Sequence, residues 1–291
     1  MELNEIAREV SMEDLWNIWF SELHRKSAGL TVKIKDILFS GKSDFQRIEV
    51  FDTEVFGKVL VLYGSIMISE RDEFIYHEMI THVPLNVHPA PESVLVVGGG
   101  DGGTVREVLK HKDVKKVKVV EIDRMVVEVC KRFFPEISGG FDDPKVEIVY
   151  NDGARFMAET GERFDVVIID SSDPVGPAEV LFQRQFYENV YRKLKEDGIM
   201  VAQTESPFYD REAISKIYRS FKQIFPIVSM YIASIPTYPS GLWSFGFCSK
   251  RFHPIHDFRG TKVDCASLRY YNPDVHVASF KLPNFIKELV E

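Results

Sequence analysis

The sequence predicts an α/β fold, in which a mostly parallel sheet covered by helices follows a small antiparallel β domain. From about residue 92, five short apolar runs alternate with helix-like segments, a pattern typical of right-handed crossovers between parallel strands. Before residue 70, runs rich in β-branched and aromatic residues are separated by single glycines, as antiparallel hairpins require. We therefore expect two domains, residues 1–70 with a role in oligomerisation and residues 71–291 with the catalytic site.

The first domain is expected to contain four strands, followed by a helix. The strand segments are LTVKIKDILFS, FQRIEVFD, KVLVLYG and IMISE. The next segment, RDEFIYHEMITHVPLNVH, repeats apolar residues at helical spacing, which predicts a helix with one buried face that includes Phe74, Ile75, Met79 and Val83. We expect Pro84 to end or kink this helix, because proline has no N–H group to donate.

The predicted parallel strands are SVLVV, KVKVVEI, KVEIVY, FDVVIID and GIMVAQT, and the later runs VSMYIASI and TYPSGLWSFGFCSK are expected to add an antiparallel pair at one edge. Ligands bind such sheets beyond the carboxyl ends of the strands. An acidic residue follows each parallel strand at that end: Asp101, Glu121, Asp152, Asp170 and Glu205. A helix cap commonly explains one such acid, but it explains a row of five less well.

Composition and charge exclude several classes of protein. The chain has 291 residues, is 45% hydrophobic and 27% charged, and carries a formal charge of −8. An acidic chain argues against a nucleic-acid partner, which needs a clustered basic face. The cysteines lie far apart without a CxxC pair, so a disulfide framework and a zinc site are not expected. No basic, apolar leader and no membrane-spanning run is present, and we expect a cytoplasmic location.

The stretch VLVVGGGDGGTVREVLK places a glycine loop between a strand and a helix, and Glu121 closes the next strand. This context predicts an adenosine-containing ligand, with the carboxylate accepting from the ribose hydroxyls. Asp101 lies within the loop and would repel a pyrophosphate, which favours an adenosine that carries a cationic group, such as a sulfonium. Asp152 and Gly153 suit the adenine amino group. The alternative for Asp101 is a cap on the following helix.

These motifs resemble those of the polyamine aminopropyltransferases. The segments GGGDGG, VEID, DSSDPVGPAEVLF, ERDEFIYHEM and TYPSG carry the resemblance, which extends from about residue 30 to the end. It implies a Rossmann-like domain of the class I methyltransferase type after a small β domain, and a homodimer or homotetramer. It also implies the reaction: decarboxylated S-adenosylmethionine, a co-substrate, gives its aminopropyl group to putrescine, which forms spermidine and methylthioadenosine without a metal or other cofactor.

The resemblance also implies roles for individual residues. Asp170 would accept the proton, and Asp101 would hold the aminopropyl ammonium of the donor. The amine channel would be lined by Tyr76, Asp173 and Tyr238, with His77 between the two substrates and Glu205 near the far amine. The methylthioadenosine half would be surrounded by Gln46, Gly98, Gly100, Glu121, Asp152, Gly153 and Pro177. The first thirty residues match least, so Trp16 and Trp19 receive no role beyond packing in the core or between subunits.

The charges of the substrates explain why a buried strand ends on DSSDP. Putrescine is a dication, and the donor carries a sulfonium and an ammonium, so carboxylates must line the crevice that holds them. One amine nitrogen must become neutral before it attacks carbon, and Asp170 is placed to take that proton. Each tyrosine ring offers an apolar wall to the methylenes and a hydroxyl to an amine.

Three alternatives remain at this point. The first alternative is an aminopropyltransferase whose acceptor is agmatine, cadaverine or spermidine instead of putrescine. The second alternative is a methyltransferase that uses intact S-adenosylmethionine on a small amine. The third alternative is a catalytically silent polyamine-binding protein on the same fold. Asp101 argues against the methyltransferase, because the intact donor has a carboxylate next to that ammonium. The presence of Asp170, Asp173 and Tyr76 argues against a silent protein.

Overall fold

The structure, a computed structural model, describes residues 17–24, 28–173 and 176–291. Its first sheet is antiparallel, with neighbouring strands paired in chain order. The strands are β1 (Ile18–His24), β2 (Ala28–Lys42), β3 (Arg47–Thr53), β4 (Gly57–Leu62) and β5 (Ser65–Ser69). Strands β2 to β5 match the prediction, and β1 is an addition to it.

Strand β1 gave no signal in the sequence because its one buried residue is charged. In IWFSELH the only buried side chain is that of Glu22, so apolar residues do not alternate with polar ones as they do in a half-buried strand. Trp19 lies on this strand with 51% of its surface exposed. Trp19 therefore does not pack in the core of the chain, so packing between subunits is the part of the expectation that stays a prediction for it, and Trp16 lies outside the described residues.

The second sheet has seven strands, in the order β11-β12-β10-β9-β6-β7-β8. Strands β6 to β10 pair in parallel, and β12 pairs antiparallel with both β10 and β11. The strands are β6 (Ser93–Gly98), β7 (Lys116–Glu121), β8 (Val146–Tyr150), β9 (Phe164–Asp170), β10 (Leu194–Gln203), β11 (Ile227–Ser234) and β12 (Leu242–Ser249). The predicted fold class, a Rossmann-like, mostly parallel sheet with an antiparallel pair at one edge, is confirmed.

Nine α-helices lie within the described residues, most of them between the strands of the second sheet. They are α1 (Glu73–Val87), α2 (Gly103–Leu109), α3 (Arg124–Phe133), α4 (Pro135–Ser138), α5 (Gly153–Glu159), α6 (Arg184–Lys193), α7 (Arg211–Ile224), α8 (Pro273–Ser279) and α9 (Asn284–Val290). None of these helices in the described ranges has both the length and the apolar character that crossing a membrane requires.

Helix α1 is buried on all sides, so the expectation of a single buried face is wrong. Apart from Phe74, all its residues are buried. The C-terminal part of the chain covers its outer side, where the Glu78 carboxylate accepts the N–H groups of residues 269–271 at 2.7–2.8 Å. Pro84 does not end the helix, which continues to Val87.

Helix α3 joins the two sheets. Ile48, Val50 and Leu60 of the first sheet pack in one apolar cluster with Val126 and Cys130 of α3. Because α3 directly follows β7, this packing holds the first sheet beside the carboxyl ends of the parallel strands. The chain leaves the first sheet at Ser69 and enters α1 at Glu73, while the division into two domains at residue 70 stays a prediction.

Candidate active site

The cleft lies where the strand order reverses, between β6 and β9, which is where open α/β sheets bind their ligands. Gly98 ends β6 directly opposite Asp170 at the end of β9. Its φ is +84°, and a Cβ there would lie 2.1 Å from the Asp170 carbonyl oxygen. The Gly99 N–H donates to that same oxygen at 2.8 Å. Glycine is therefore required at this point so that the two strand ends can meet.

Two hydroxyl groups hold the Asp170 carboxylate. The Tyr76 hydroxyl donates to Oδ1 and the Thr104 hydroxyl to Oδ2, both at 2.7 Å. Burial, and then the neighbouring charge of Asp101, raise the pKa of Asp170 to about 6. This carboxyl group can therefore exchange a proton near neutral pH, which is a requirement for a general base.

His77 lies between two carboxylates. Its Nε2 is 3.1 Å from Oδ1 of Asp101, and its Nδ1 is 2.6 Å from Oε2 of Glu73. Burial opposes the charged imidazolium, but Asp101 and Glu73 outweigh it and raise the pKa of His77 to about 10. His77 is therefore a cation at neutral pH, and it offsets part of the negative charge of Asp101.

Asp101 serves the following helix as well as the cleft. Its Oδ1 accepts the N–H of Gly103, the first residue of α2, at 2.7 Å. The contact at the start of α2 that the helix-cap alternative predicts is thus made by Oδ1 of Asp101. Oδ2 is not used in this contact and can accept from a ligand. Asp152 is likewise the N-cap of α5, where its Oδ1 accepts from Arg155 N–H at 2.9 Å. Contacts at the starts of helices therefore explain two of the five acidic residues at the strand ends, Asp101 and Asp152, which is more than expected.

A first cavity brings together most of the predicted site residues. Its lining includes Gln46, Tyr76, His77, Gly98, Gly100, Asp101, Glu121, Asp152, Gly153, Asp170 and Tyr238. Burial raises the pKa of Glu121 to about 7, and its Oε1 accepts the N–H of Asp123. The Gln46 amide donates to Asp123 Oδ2 at 3.0 Å. Asp123, which the sequence did not single out, thus ties Gln46 to the end of β7. The Pro177 side chain lies outside the described part.

A second, smaller cavity adjoins the first and has a mixed aromatic and acidic wall. The two cavities share Tyr76, Tyr238, Met67, Ser171 and Ser172. The second cavity adds Asp173, Gln203, Trp243 and Glu22 to this wall. Burial, and then Asp210, raise the pKa of Asp173 to about 6.

Glu22 is an acidic residue of the second cavity that sequence reasoning missed. It reaches the second cavity from β1, where its Oε2 accepts the N–H of Ile66 at 2.8 Å. Burial raises the pKa of its carboxyl group to about 7. Its only signal is an acidic residue in a strand at the far end of the chain from DSSDP, which no spacing rule connects to the site.

The two tyrosines place their rings on the cavity wall and donate their hydroxyl hydrogens to groups of the protein. The ring centres of Tyr76 and Tyr238 lie 5.7 Å apart. The Tyr76 hydroxyl is used by Asp170, and the Tyr238 hydroxyl donates to the carbonyl of Met67 at 2.7 Å. Buried hydroxyls need such partners, and each oxygen still has lone pairs that can accept from an ammonium. The expected contact between these hydroxyls and an amine therefore stays a prediction.

Glu205 lies behind Gln203. Its Oε1 accepts from the Gln203 amide at 3.0 Å, and among the described residues Gln203, not Glu205, lines the second cavity. Glu205 has a φ of +69° and follows the end of β10, so strand alternation no longer sets the direction of its side chain. Its predicted contact with the far amine is therefore indirect in this structure.

His77, Asp101 and Asp170 lie close enough together to be considered for a metal, with candidate ligand atoms within 4.8 Å of one another. A metal needs a ring nitrogen with a free lone pair. Both nitrogens of His77 face carboxylates, so the ring is a donor at both ends and does not fit that role. The expectation of a reaction without metal or cofactor stays a prediction.

Comparison with known proteins covers both sheets. Residues 73–258 match the family model of the spermine/spermidine synthase domain, and residues 18–70 match that of the spermidine synthase tetramerisation domain. The chain is 48% identical over 274 residues to a polyamine aminopropyltransferase of Caldicellulosiruptor saccharolyticus, a match that spans 94% of this chain and 98% of the relative. A Bacillus subtilis polyamine aminopropyltransferase is 47% identical over 276 residues, covering 94% and 99% of the two chains.

Solved structures agree with the sequence relatives. A crystal structure of spermidine synthase in complex with the transition-state analogue AdoDATO has a TM-score of 0.91, with 44% identity and 99% of both chains covered. The spermidine synthase from Thermotoga maritima has a TM-score of 0.89 at 44% identity, covering 100% of this chain and 99% of that one. The predicted family and enzyme class are thereby confirmed, and the chain belongs to the spermine/spermidine synthase family of polyamine aminopropyltransferases.

Proposed function

We propose that the enzyme is a spermidine synthase, which transfers the aminopropyl group of decarboxylated S-adenosylmethionine to putrescine and forms spermidine and 5′-methylthioadenosine. The observation that carries this proposal is the position of Asp170. It lines the first cavity, and its hydrogen-bond partner Tyr76 lines both cavities. A carboxylate there stands between a pocket suited to an adenosine and a channel suited to a diamine.

The reaction balances with Asp170 as the only proton acceptor. The lone pair of the amine nitrogen forms a bond to the methylene carbon next to the sulfonium. The bond from that carbon to sulfur breaks. Its electron pair stays on sulfur, which becomes the neutral thioether of methylthioadenosine. The nitrogen loses one proton, which Asp170 accepts. Such an in-line displacement depends mainly on holding two bound reactants in line.

The first cavity supplies the groups that the donor needs. Glu121 ends β7, where a carboxylate accepts from the ribose hydroxyls. The backbone of Asp152 and Gly153 lies at the end of β8, suited to the adenine ring. Gln46 and the glycine loop at Gly98 and Gly100 complete the methylthioadenosine half of the cavity, and Oδ2 of Asp101 receives the aminopropyl ammonium. The resemblance alone implies a contact of the donor with Pro177.

The second cavity supplies the groups that the acceptor needs. The rings of Tyr76, Tyr238 and Trp243 form an apolar wall for the methylenes. Asp173 and Glu22 provide the negative charge that the ammonium groups require. Glu205 acts through Gln203, by fixing the amide that lines the cavity.

The rate is expected to rise with pH from 6 to about 8.5. The pKa of Asp170 is about 6, so its proton-accepting form is lost as the pH falls through 6 and predominates above it. The fraction of amine with one neutral nitrogen also grows with pH, because free amines titrate near 10. Measurement of kcat/KM for putrescine across this range tests the expectation, and a steady fall between pH 6 and 8.5 contradicts it.

Glu22→Gln is expected to raise the KM for putrescine by about tenfold, since it removes a charge-assisted hydrogen bond. The KM for the donor is expected to stay the same, because Glu22 lines only the second of the two cavities. Steady-state kinetics with each substrate varied in turn separates the two values. Glu54→Gln is a matched control on the same sheet, since Glu54 pairs with Lys33 near the surface. An unchanged KM for putrescine in Glu22→Gln contradicts the assignment.

Product analysis tests the function itself. The purified enzyme is incubated with decarboxylated S-adenosylmethionine and, in turn, with putrescine, cadaverine, agmatine and spermidine, and the products are separated by chromatography. We expect spermidine from putrescine to form fastest. A faster product from another amine changes the acceptor. Methylation of an amine in a parallel incubation with intact S-adenosylmethionine makes the enzyme a methyltransferase. Absence of any product supports the silent polyamine-binding protein.

The first sheet is proposed to join copies of the chain into a homodimer or homotetramer. Its large exposed apolar side chains include Ile18, Trp19, Leu23, Ile37 and Val55. Exposed apolar patches of this kind are typical of protein interfaces, and the same region matches the tetramerisation model. Light scattering gives the mass of the particle in solution, and a monomer mass contradicts the proposal.

A further inference from the structure

A bidentate ion pair stands behind His77, on the side away from Asp101. Glu73 lies one helical turn before His77 on α1, and its Oε2 is 2.6 Å from His77 Nδ1. The same carboxylate accepts from Arg106 of α2 through both oxygens, with Nη1 at 3.0 Å and Nη2 at 2.9 Å. Arg106, Glu73, His77 and Asp101 therefore form one continuous chain of charged groups.

Arg106 is itself held in place at its other edge. Its Nε donates to Oε1 of Glu107 at 2.8 Å, and Oε2 of Glu107 is 2.9 Å from Nε2 of His82. Glu107 and His82 are fully buried. A guanidinium fixed by two carboxylates has little freedom to turn. Arg106 therefore restricts the position of Glu73, and Glu73 in turn restricts that of the His77 ring.

The charges in this chain cancel. Glu73 and Asp101 are each negative, while His77 and Arg106 are each positive, so the four groups sum to zero. Burying an unpaired charge is strongly destabilising. Glu107, the other partner of Arg106, has Lys110 at 2.6 Å from its Oε2. Arg106 therefore lets two carboxylates flank one imidazole without leaving an uncompensated charge.

We propose that Glu73 and Arg106 are positioning residues for the donor: they fix the His77 ring so that its Nε2 holds Oδ1 of Asp101, and they leave Oδ2 for the aminopropyl ammonium. This role rests on the proposed function, in which Asp101 binds that ammonium. Glu73 and Arg106 line a separate crevice of about 520 Å³. Its described lining shares no residue with the two substrate cavities, so both residues act through His77.

Glu73→Gln tests the role directly. We expect the KM for decarboxylated S-adenosylmethionine to rise by about tenfold, the loss typical of a charge-assisted hydrogen bond. The KM for putrescine is expected to stay the same. Arg106→Lys keeps the charge but loses the bidentate fork, so its donor KM should fall between wild type and Glu73→Gln. Glu70→Gln is the control, because Glu70 lines the same crevice but pairs with Lys58.

A double-mutant cycle separates positioning from general damage to the fold. If Glu73 acts through Asp101, Glu73→Gln adds little further loss of donor affinity when Asp101 is already Asn. A full additional tenfold loss in the double variant overturns the proposal, as does an unchanged donor KM in both Glu73→Gln and Arg106→Lys. Where Glu73→Gln fails to fold, Arg106→Lys carries the test. A wild-type enzyme that transfers no aminopropyl group contradicts the proposed function instead.

Discussion

Asp170→Asn is expected to lower kcat by about 10²- to 10⁴-fold, the usual effect of removing a general base. An amide cannot take the proton that the attacking nitrogen must lose. It can still accept from the Tyr76 hydroxyl and face the Thr104 hydroxyl, the two groups that hold Asp170 at 2.7 Å. The side chain should therefore keep its place while losing its chemistry.

The measurement pairs turnover with ligand binding. Formation of methylthioadenosine gives kcat, and calorimetric titration with methylthioadenosine reports the donor pocket, where binding is expected to stay close to that of wild type. Asp142→Asn is a suitable control, because Asp142 is an exposed residue that pairs with Lys131. A variant at Asp170 that keeps more than about a third of wild-type kcat removes this residue from the mechanism.

Asp101→Asn is expected to weaken binding of decarboxylated S-adenosylmethionine by about 2–5 kcal/mol, the scale for removing one partner of a buried charge pair. Asparagine is chosen over alanine because its carbonyl oxygen can still accept from the Gly103 N–H. The intact donor carries a carboxylate near Asp101, and two like charges about 4 Å apart repel by about 4 kcal/mol at an effective dielectric of 20.

The preference for the decarboxylated donor should therefore narrow in Asp101→Asn, because the repulsive element has gone. Calorimetric titration of wild type and variant with both donors gives the four affinities that this comparison needs. Equal discrimination by the two proteins shows that Asp101 serves only the start of α2, and that the selection of the donor depends on other groups.

The sequence predicts features that depend on local pattern and on the rule for strand ends. The alternation of apolar runs and helices predicts β6 to β10, and the rule for open sheets then places Asp101, Glu121 and Asp170 in one cleft. The sequence predicts that the glycine loop lets a ligand approach the backbone, and the structure adds that Gly98 also lets the ends of β6 and β9 meet.

Features that depend on contacts between distant segments are not predictable in this way. Glu22 belongs to a strand without apolar alternation and meets the cleft only because helix α3 holds the two sheets together. The bond between Glu73 and Arg106 joins side chains on two different helices. Glu205 is expected at the rim of the sheet because it follows the end of β10, but the rule for strand ends does not set the direction of its side chain, which contacts Gln203.

In the proposed mechanism, separate parts of the chain provide the proton acceptor and the far end of the second cavity. Asp170 lies at the end of β9, held by helix α1 and the glycine loop. Glu22, in contrast, lies on β1, the edge strand of the first sheet. A substitution on β1 changes the charge or depth of that far wall without touching the strand that carries the base. Substitutions on β1 can thus change the preference for the acceptor amine, in evolution or by design, without a change in the residues of the chemical step.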